Sequence, residues 1–538
     1  MATTRVRGTV MALLAVVVLA GLGATDRETS LLEAVKSGDV AAVRALLRQK
    51  AGATATEPDG TTALTWAVRG NQQELATLLL KAGADPSKAN RYGASPVFYA
   101  ATNGNGPLLE TLLAAGAKAN APGVGGEMPL MAAARSGSTE AVRVLLAHGA
   151  DVHAREARRG QTALMAAAVE GNAAVVKTLV EAGARATDRS HGPATPPLDA
   201  AEFTRGNYNR KDRFDEYTPL LMAVRRGHLD VVRALLDAGV SPNEKAPDGA
   251  SALVIAAANA HWELGALLLD RGADPNAADQ GWNALHQTAR TRGLNVTRLA
   301  YPVPTGRLSS MDFVKSLFAH GVDVHARVTK AWGRSDNQRG RFSVIRATAL
   351  LMAAKSADAE LMRVLLEHGA NVQDRNREGT TVLMAAAGCD VTFVGEDSKP
   401  PEEALEAVKV ALAAGGTVND ANEKGDTALH GAAFTGANIV VQFLVDKGAK
   451  LDAVNKYGQS PLAVAHLDYQ GQIDQYHPET EAFIRKLLAE RGLPEGKVFG
   501  PAELRQMFVA SGVRGNNNLN TVVVETESAP PAGAAAGK

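Results

Sequence analysis

The stretch TALMAAAVEGNAAVVKTLVEAGA at residues 162–184 decides the fold, because it recurs along the chain. Variants read TTALTWAVRGNQQELATLLLKAGA at 61–84, EMPLMAAARSGSTEAVRVLLAHGA at 127–150, TPLLMAVRRGHLDVVRALLDAGV at 218–240 and DTALHGAAFTGANIVVQFLVDKGA at 426–449. The apolar residue of the opening T-x-L triplet serves as a ruler. It falls at Leu31, Leu64, Val97, Leu130, Leu164, Leu220, Leu253, Leu285, Leu350, Leu383, Leu429 and Leu462. The steps between them are 33, 33, 33, 34, 56, 33, 32, 65, 33, 46 and 33 residues. A fixed period of this size marks a stacked-repeat protein rather than a set of separate globular cores.

One unit has a local physical account. A Thr or Ser opens a first helix, where its hydroxyl accepts from an orphan backbone N–H. Alanines such as Ala132, Ala133 and Ala134 let neighbouring helices approach closely. A second helix carries Val144, Leu145 and Leu146 and stops at Gly149, a residue type that takes a left-handed cap without strain. Turn-rich segments follow, such as EPDG at 57–60 and APDG at 246–249, suited to a hairpin finger. No unit buries its faces alone, so stability comes from stacking.

These twelve units resemble ankyrin repeats over residues 30–493. The long insertions and the TALHGAA unit at 427–433 are similar to the large secreted ankyrin arrays of bacteria. The resemblance implies an all-α ankyrin-repeat solenoid of about 12 helix-turn-helix repeats with β-hairpin fingers. It implies fingers directed to a concave side and interhelix loops along the opposite edge. It also implies a binding scaffold, names no ligand, and transfers no catalytic residue. The family's T-P-L-H pattern is complete nowhere; His286 and His430 hold its His position, where other units carry Met, Thr or Ala.

Composition bounds the rest. At about 150 residues per domain, 538 residues suggest three to four domains, but repeats escape the single-core size limit and one continuous solenoid over 25–499 is expected. Hydrophobic residues make up 46% and aromatics only 4%, so the apolar share is mostly Ala, Leu and Val, as thin close-packed helices need. Lys plus Arg and Asp plus Glu are 57 each, and a net charge of zero argues against a nucleic-acid-binding protein. The one cysteine, Cys389, excludes an intrachain disulfide framework and any multi-cysteine metal site.

The first residues read as an export signal. Arg5 and Arg7 precede the uncharged run VMALLAVVVLAGLGA at 10–24, and small residues place cleavage between Ala20 and Thr25. The run is 15 residues, where a membrane span needs about 20. No cysteine lies nearby to carry a lipid anchor. A chain without a stable membrane span after signal removal, periplasmic or secreted and monomeric, is the expectation. At the ends, a capping repeat is expected at about 30–58 and a last repeat at about 458–493, followed by a mostly disordered extension over 500–538.

The interruptions of the period locate the insertions. A ruler residue regularly precedes its C-cap Gly by 19 residues, as Leu130 precedes Gly149, and the next ruler follows by about 14. On that measure repeat five carries 23 extra residues in its finger, and repeat eight carries 17 between its helices and 15 in its finger. Repeat ten carries 14 between its helices, counted to Gly416, and repeat twelve carries 11. Charge is uneven among them: residues 290–310 are +4, the finger at 326–347 is +5, and 388–403 is −4. Two readings follow. The basic finger binds an acidic or phosphate-bearing partner through Arg334, Arg339 and Arg341, anchored by Trp332 beside Phe342. The oppositely charged interhelix loops of repeats eight and ten cover repeat nine between them. Other candidate contact residues, at fingertips, are Arg91, Tyr92, Trp282 and Tyr457.

Catalytic and metal chemistry finds little support. Cys389 and His430 suggest a nucleophile and base, but no third orienting group recurs beside them. The AHGADVHAR and AHGVDVHAR runs at 147–155 and 319–327 hold two His each, fewer than a metal site needs. DANEKG at 420–425 begins like a calcium loop but places Lys424 at an oxygen-ligand position. GVGGEM at 123–128 lacks the spacing of a dinucleotide loop. NVT at 295–297 matters only in a glycosylating host. The expectation is a non-enzymatic scaffold without cofactor or metal, exported, binding an unknown protein through groove, fingers and inserted loops. The alternatives are an exported effector bound to a host protein and, remotely, an enzyme whose site the insertions build.

Overall fold

The computed structural model describes residues 24–49, 52–191, 216–293, 302–330, 342–391, 399–466, 477–500 and 503. Among these there are 24 α-helices, one 3-10 turn at Val124–Gly126, and no strand. The chain divides into two compact units, and in the described residues the boundary falls between Pro247 and Asp248. Each is built from antiparallel helix pairs.

In the first unit, Ala63–Arg69 pairs with Gln73–Lys81, and Pro129–Ser136 pairs with Thr139–Ala147. The ruler residues explain the pairing. Leu64, Leu130 and Leu164 lie one or two positions inside their helices and are almost fully buried. The Thr or Ser before them caps the helix: Thr62 Oγ1 accepts from Thr65 N–H at 3.0 Å, and Ser251 and Thr348 do the same for their own helices. Ala133 and Ala134 are fully buried, so successive first helices meet with no bulk between them. The second helix ends where Gly149 takes φ 79°, which an L-residue adopts only at a cost.

The turn between paired helices has a register that the phrase hides. Seven residues past the ruler the backbone is left-handed: Gly38, Asn71, Gly104, Gly137, Gly171 and Gly227 in the first unit. That single residue reverses the chain within a link of two or three residues. The 23 extra residues of repeat five do not separate it from repeat six. Helix Ala163–Glu170 packs directly on Pro219–Arg226, with Met165 and Met222 in one buried cluster.

In the second unit the same pairs recur, but the links lengthen. Ala284–Arg292 is followed by its partner only at Ser310–Ala319, because the seventh position, Arg292, stays helical. Val382–Ala386 is cut to one turn and Pro401–Ala413 is long. The left-handed residue closing that second helix is Gly415, with φ 100°, not Gly416. The insertion of repeat ten is therefore one residue shorter than the sequence count.

Hairpin fingers were expected, and the described residues contain only isolated bridges, Thr56 with Thr62 and Arg375 with Thr381. The reason is visible in four fingers that share an Asn. Asn90 Oδ1 accepts from Tyr92 and Ala94 N–H, and Asn376, Asn422 and Asn455 repeat that pair of bonds. A side chain satisfies the donors that a strand ladder would use, so the finger is a closed turn. Adjacent fingers are joined by one backbone bond each: Arg91 N–H to Asp59 O, Glu423 N–H to Glu378 O, and Lys456 N–H to Lys424 O.

Candidate partner-binding surface

The fingertip candidates separate into two kinds. Arg91 and Tyr92 form one exposed unit. Arg91 Nη2 donates to Tyr92 Oη at 2.6 Å, the guanidinium carbon lies 4.8 Å from the ring centroid, and Tyr92 is 55% exposed. The hydrogen bond to Tyr92 raises the pKa of Arg91, and nearby Asp59 adds to it. Trp282 is half-buried, and its carbonyl accepts from Gln280 Nε2, so it is part of its finger's packing rather than a projecting anchor. Tyr457 borders a cavity of about 190 Å³ and sits at the edge of exposure. Trp332, Arg334, Arg339 and Arg341 lie outside the described residues. Of that basic finger, Phe342 is buried and lies under Lys355, whose Nζ is 5.7 Å from the ring centroid.

The cavity beside Tyr457 is also lined by Cys389, Asp390, Lys424 and His430. The pairing of Cys389 with His430 suggested by composition is absent. Cys389 Sγ donates to Thr427 O at 3.2 Å. His430 Nδ1 accepts from Thr427 N–H and its Nε2–H donates to Gln459 O at 3.0 Å. Burial, with Asp390 and Asp426 nearby, pushes the thiol well above its ordinary pKa, so it is held protonated. The imidazole is a bracket between a helix cap and the next finger. His286 is its counterpart, with Nε2–H donating to Ala326 O at 2.9 Å and burial lowering its pKa to about 4.

The charged partners in this cavity are the unexpected feature. Asp390 was grouped with an interhelix loop of the opposite edge. After the shortened helix the chain turns at Gly388 and brings Asp390 back to the fingers. Its carboxylate accepts from Lys424 Nζ at 2.6 Å and from Thr380 Oγ1 at 2.6 Å, and its side chain is 2% exposed. Burial opposes the charge of Lys424, but Asp390 and Glu378 outweigh it and raise the lysine's pKa. Burial raises the pKa of Glu378, with Lys424 working against that rise.

Of the two interhelix insertions, residues 294–301 and 392–398 lie outside the described residues, and what is described places Arg292 at repeat nine. Arg292 Nε and Nη2 donate to Asp358 at 2.6 and 2.9 Å, and Nη2 also reaches Glu360. These carboxylates sit on repeat nine's own turn. Lys399, Glu402 and Glu403 of repeat ten's insertion line the same hollow. The described contacts thus link Arg292 to repeat nine, not to the acids of repeat ten.

The His runs hold no metal constellation. His148 Nε2 meets Glu110 at 3.1 Å, and His320 Nδ1–H donates to Ser316 O at 2.8 Å. Among the described residues no three His, Cys, Asp or Glu side chains converge. The segment 420–425 is a finger, with Asp420 paired to Arg375.

One surface escaped sequence reading. In the first unit, the position five past the ruler carries a cation in four of six repeats, Lys36, Arg69, Arg135 and Arg225, with Thr102 and Val169 in the other two. Two past it stand Trp66 and Tyr99. Lys36 Nζ lies 5.3 Å from the Trp66 centroid, and the Arg69 guanidinium lies 5.0 Å from Trp66 and 5.9 Å from Tyr99. The period held this signal, had the units been aligned by those two positions.

Helix pairs stacked first helix on first helix and joined finger to finger define a helical repeat protein. The family model for three-copy ankyrin repeats matches residues 7–90, 31–123, 97–190, 199–279, 220–301 and 401–474, and the single-repeat model matches 346–377. Together they span well over half of the chain, which belongs to the ankyrin-repeat family. Among solved structures, the crystal structure of the human ASB11 ankyrin repeat domain is similar at 27% identity, over 46% of this chain and 98% of that one, with a TM-score of 0.37. No curated protein matches. No helix among the described residues is long and apolar enough to cross a membrane.

Proposed function

We propose that this chain is a non-enzymatic scaffold that binds a protein partner, and that it does so outside the cytoplasm. Ankyrin repeats are generally protein-interaction modules, and that family membership supports the first half. The observation that carries it is the division of each first helix. One side is buried Ala and Leu committed to stacking, and in several repeats of the first unit the end of the helix carries a cationic or aromatic side chain, Lys36, Arg69 and Arg135 exposed and Trp66 and Tyr99 half-buried. Cys389 Sγ bonded to Thr427 O and His430 held between a helix cap and Gln459 O act as structural brackets, in keeping with a scaffold.

Export, to the periplasm or beyond, rests on the Arg5, Arg7 and 10–24 pattern, as does kinship with secreted bacterial arrays. The alternation of described helices supports a count of twelve repeats, with the fingers as closed turns. The protein acts as a monomer on this reading, and no cofactor enters.

Affinity capture tests it. Residues 25–538 are immobilised, exposed to cross-linked envelope extract of the source organism, and retained proteins are identified by mass spectrometry. One near-stoichiometric protein lost on substitution of Arg91 and Tyr92 is the expected result. A parallel capture from host-cell extract that alone retains a protein would move the reading to an exported effector, and retention of none in either extract would overturn it.

A further inference from the structure

The inference rests on the protein-binding reading and names the chemistry of the partner. On the first unit, the ends of the first helices carry a cationic and aromatic stripe, with Lys36, Arg69 and Arg135 exposed and Trp66 and Tyr99 half-buried. Lys36, Trp66, Arg69 and Tyr99 interleave across three consecutive repeats through contacts of 5.0–5.9 Å. Further on, Arg135, Arg159 and Arg226 converge with Gln161 and Glu170 on one cavity of about 200 Å³. Arg225 continues the pattern, 5.9 Å from the Tyr217 centroid.

We propose that this stripe binds an extended, acidic segment of a protein partner. Its carboxylates pair with Arg69, Arg135 and Arg226, and its apolar side chains lie against Trp66 and Tyr99. Three properties select that occupant. Guanidinium forks present paired donors that match carboxylates. The ring faces of Trp66 and Tyr99 are already polarised by the cations beside them and offer flat apolar area. Spacing agrees too: successive helix layers lie about 10 Å apart, and an extended peptide advances about 3.3 Å per residue, so one repeat spans about three residues.

The acids on the stripe exclude a uniform polyanion. Glu33 and Glu57 hold Lys36, Glu127 holds Arg135 at 2.9 Å, and Glu170 lines the shared cavity. A nucleic acid would bring phosphates against these carboxylates, whereas a peptide alternating acidic and apolar residues places its charges only at the arginines.

The test selects random displayed peptides of about 16 residues, enough to span about five repeats, on the immobilised full-length protein. Enriched peptides are then titrated by fluorescence anisotropy. The expected peptides carry Asp or Glu at intervals of about six residues, two repeats apart, with apolar residues between. Their affinity falls at least tenfold in the Arg69→Gln, Arg135→Gln, Arg226→Gln variant and weakens with added salt, while Arg363→Gln, on the second unit, leaves it unchanged. Circular dichroism and melting check that the triple variant folds. Peptides without acidic bias, or binding unchanged in the triple variant, overturn the stripe while envelope capture by the full chain keeps the scaffold reading. Loss of both peptide binding and capture overturns both. A single-stranded oligonucleotide bound as tightly as the peptide, and lost in the same variant, overturns the peptide assignment in favour of a polyanion.

Discussion

Tyr92 and Lys424 occupy the same place in their fingers, two residues after the Asn and one before the Gly, and they meet opposite fates. In the first unit Tyr92 is exposed with only Arg91 against it. In the second, Lys424 is drawn between Asp390 and Glu378, and Asp390 is nearly sealed from solvent. The repeat lays down one finger geometry in both. The insertion after the Val382–Ala386 helix then delivers a carboxylate that turns a fingertip into interior. At this position the insertion, not the finger, decides whether the side chain faces solvent or is paired inside.

Breaking that contrast has its largest effect at Lys424. Lys424→Ala leaves the Asp390 carboxylate in a site with 2% exposure and no cation, which costs about 3 kcal/mol. Tyr92→Ala changes stability by less than about 0.5 kcal/mol, because little is buried there. Urea unfolding followed by hydrogen exchange, resolved to peptides of each unit, checks both. Equal losses at the two positions would show that the finger, not the insertion, sets the environment.

Arg292 gives the second contrast. It is 16% exposed in its side chain and holds Asp358, itself 13% exposed. Arg292→Ala is expected to cost about 2 kcal/mol, less than for a fully buried pair because some water reaches it. The exposed Arg44 and Glu74 pair of the first unit joins two repeats at 2.8 Å, yet Arg44→Ala is expected to cost less than about 0.5 kcal/mol. The same denaturation measurement decides whether charge pairs are structural in one unit and incidental in the other.

Acid separates the units next. His286 and His430 bracket caps to fingers only in the second unit; the first carries Leu32, Thr65, Phe98, Met131, Met165 and Leu221 at that place. His286 is depressed to about 4 by burial, so the folded state binds its proton later than the unfolded chain does at about 6.5. Its contribution is complete above the unfolded value and is lost as pH falls from there toward 4. That loss is about 2 kcal/mol at pH about 5. His430 shifts in the same direction for the same cause. Hydrogen-exchange protection should fall first in the second unit, and His286→Met should flatten its dependence on pH. A first unit that loosens earlier would remove these histidines as the cause.

The parts of this fold legible in sequence are those that repeat. Ruler, caps and C-cap glycines mark most helix pairs, with exceptions such as Val40–Arg48, which ends at Gln49, and Pro129–Ser136, which opens after Met128, because each mark is fixed by contacts within about 33 residues. Strands were expected where Asn90 and its equivalents close the turn by side chain, a difference of hydrogen-bond partner that period alone does not register. Arg91 and Tyr92 were readable as surface because the neighbouring finger meets Arg91 by a backbone bond to Asp59 and leaves the Tyr92 ring exposed. Trp282 was not, since its burial depends on how its own finger folds back through Gln280. Lys424 and Asp390 lie 34 residues apart and meet only because an insertion takes a path no periodic rule describes.

The smallest effect probes the link between paired helices. At the seventh position past the ruler the first unit uses Gly or Asn throughout, whereas the second places Ala260, Ala357 and Asp390 in the same left-handed backbone. An L-residue there carries strain of about 1 kcal/mol, and glycine removes it while adding about 0.5 kcal/mol of unfolded-chain entropy. Ala357→Gly, at φ 53°, is therefore expected to stabilise the second unit by about 0.5 kcal/mol. The reverse change in the first unit, Gly137→Ala, adds both the strain and a Cβ only 2.9 Å from Asn172 Oδ1, and is expected to cost about 1 kcal/mol or more. Opposite signs in urea midpoints would show that both units share one turn geometry and that only the second has drifted from its best residue. Equal signs would mean that Ala357 is held by its neighbours at the repeat-nine hollow, where the Arg292 contacts, not the backbone, fix the link.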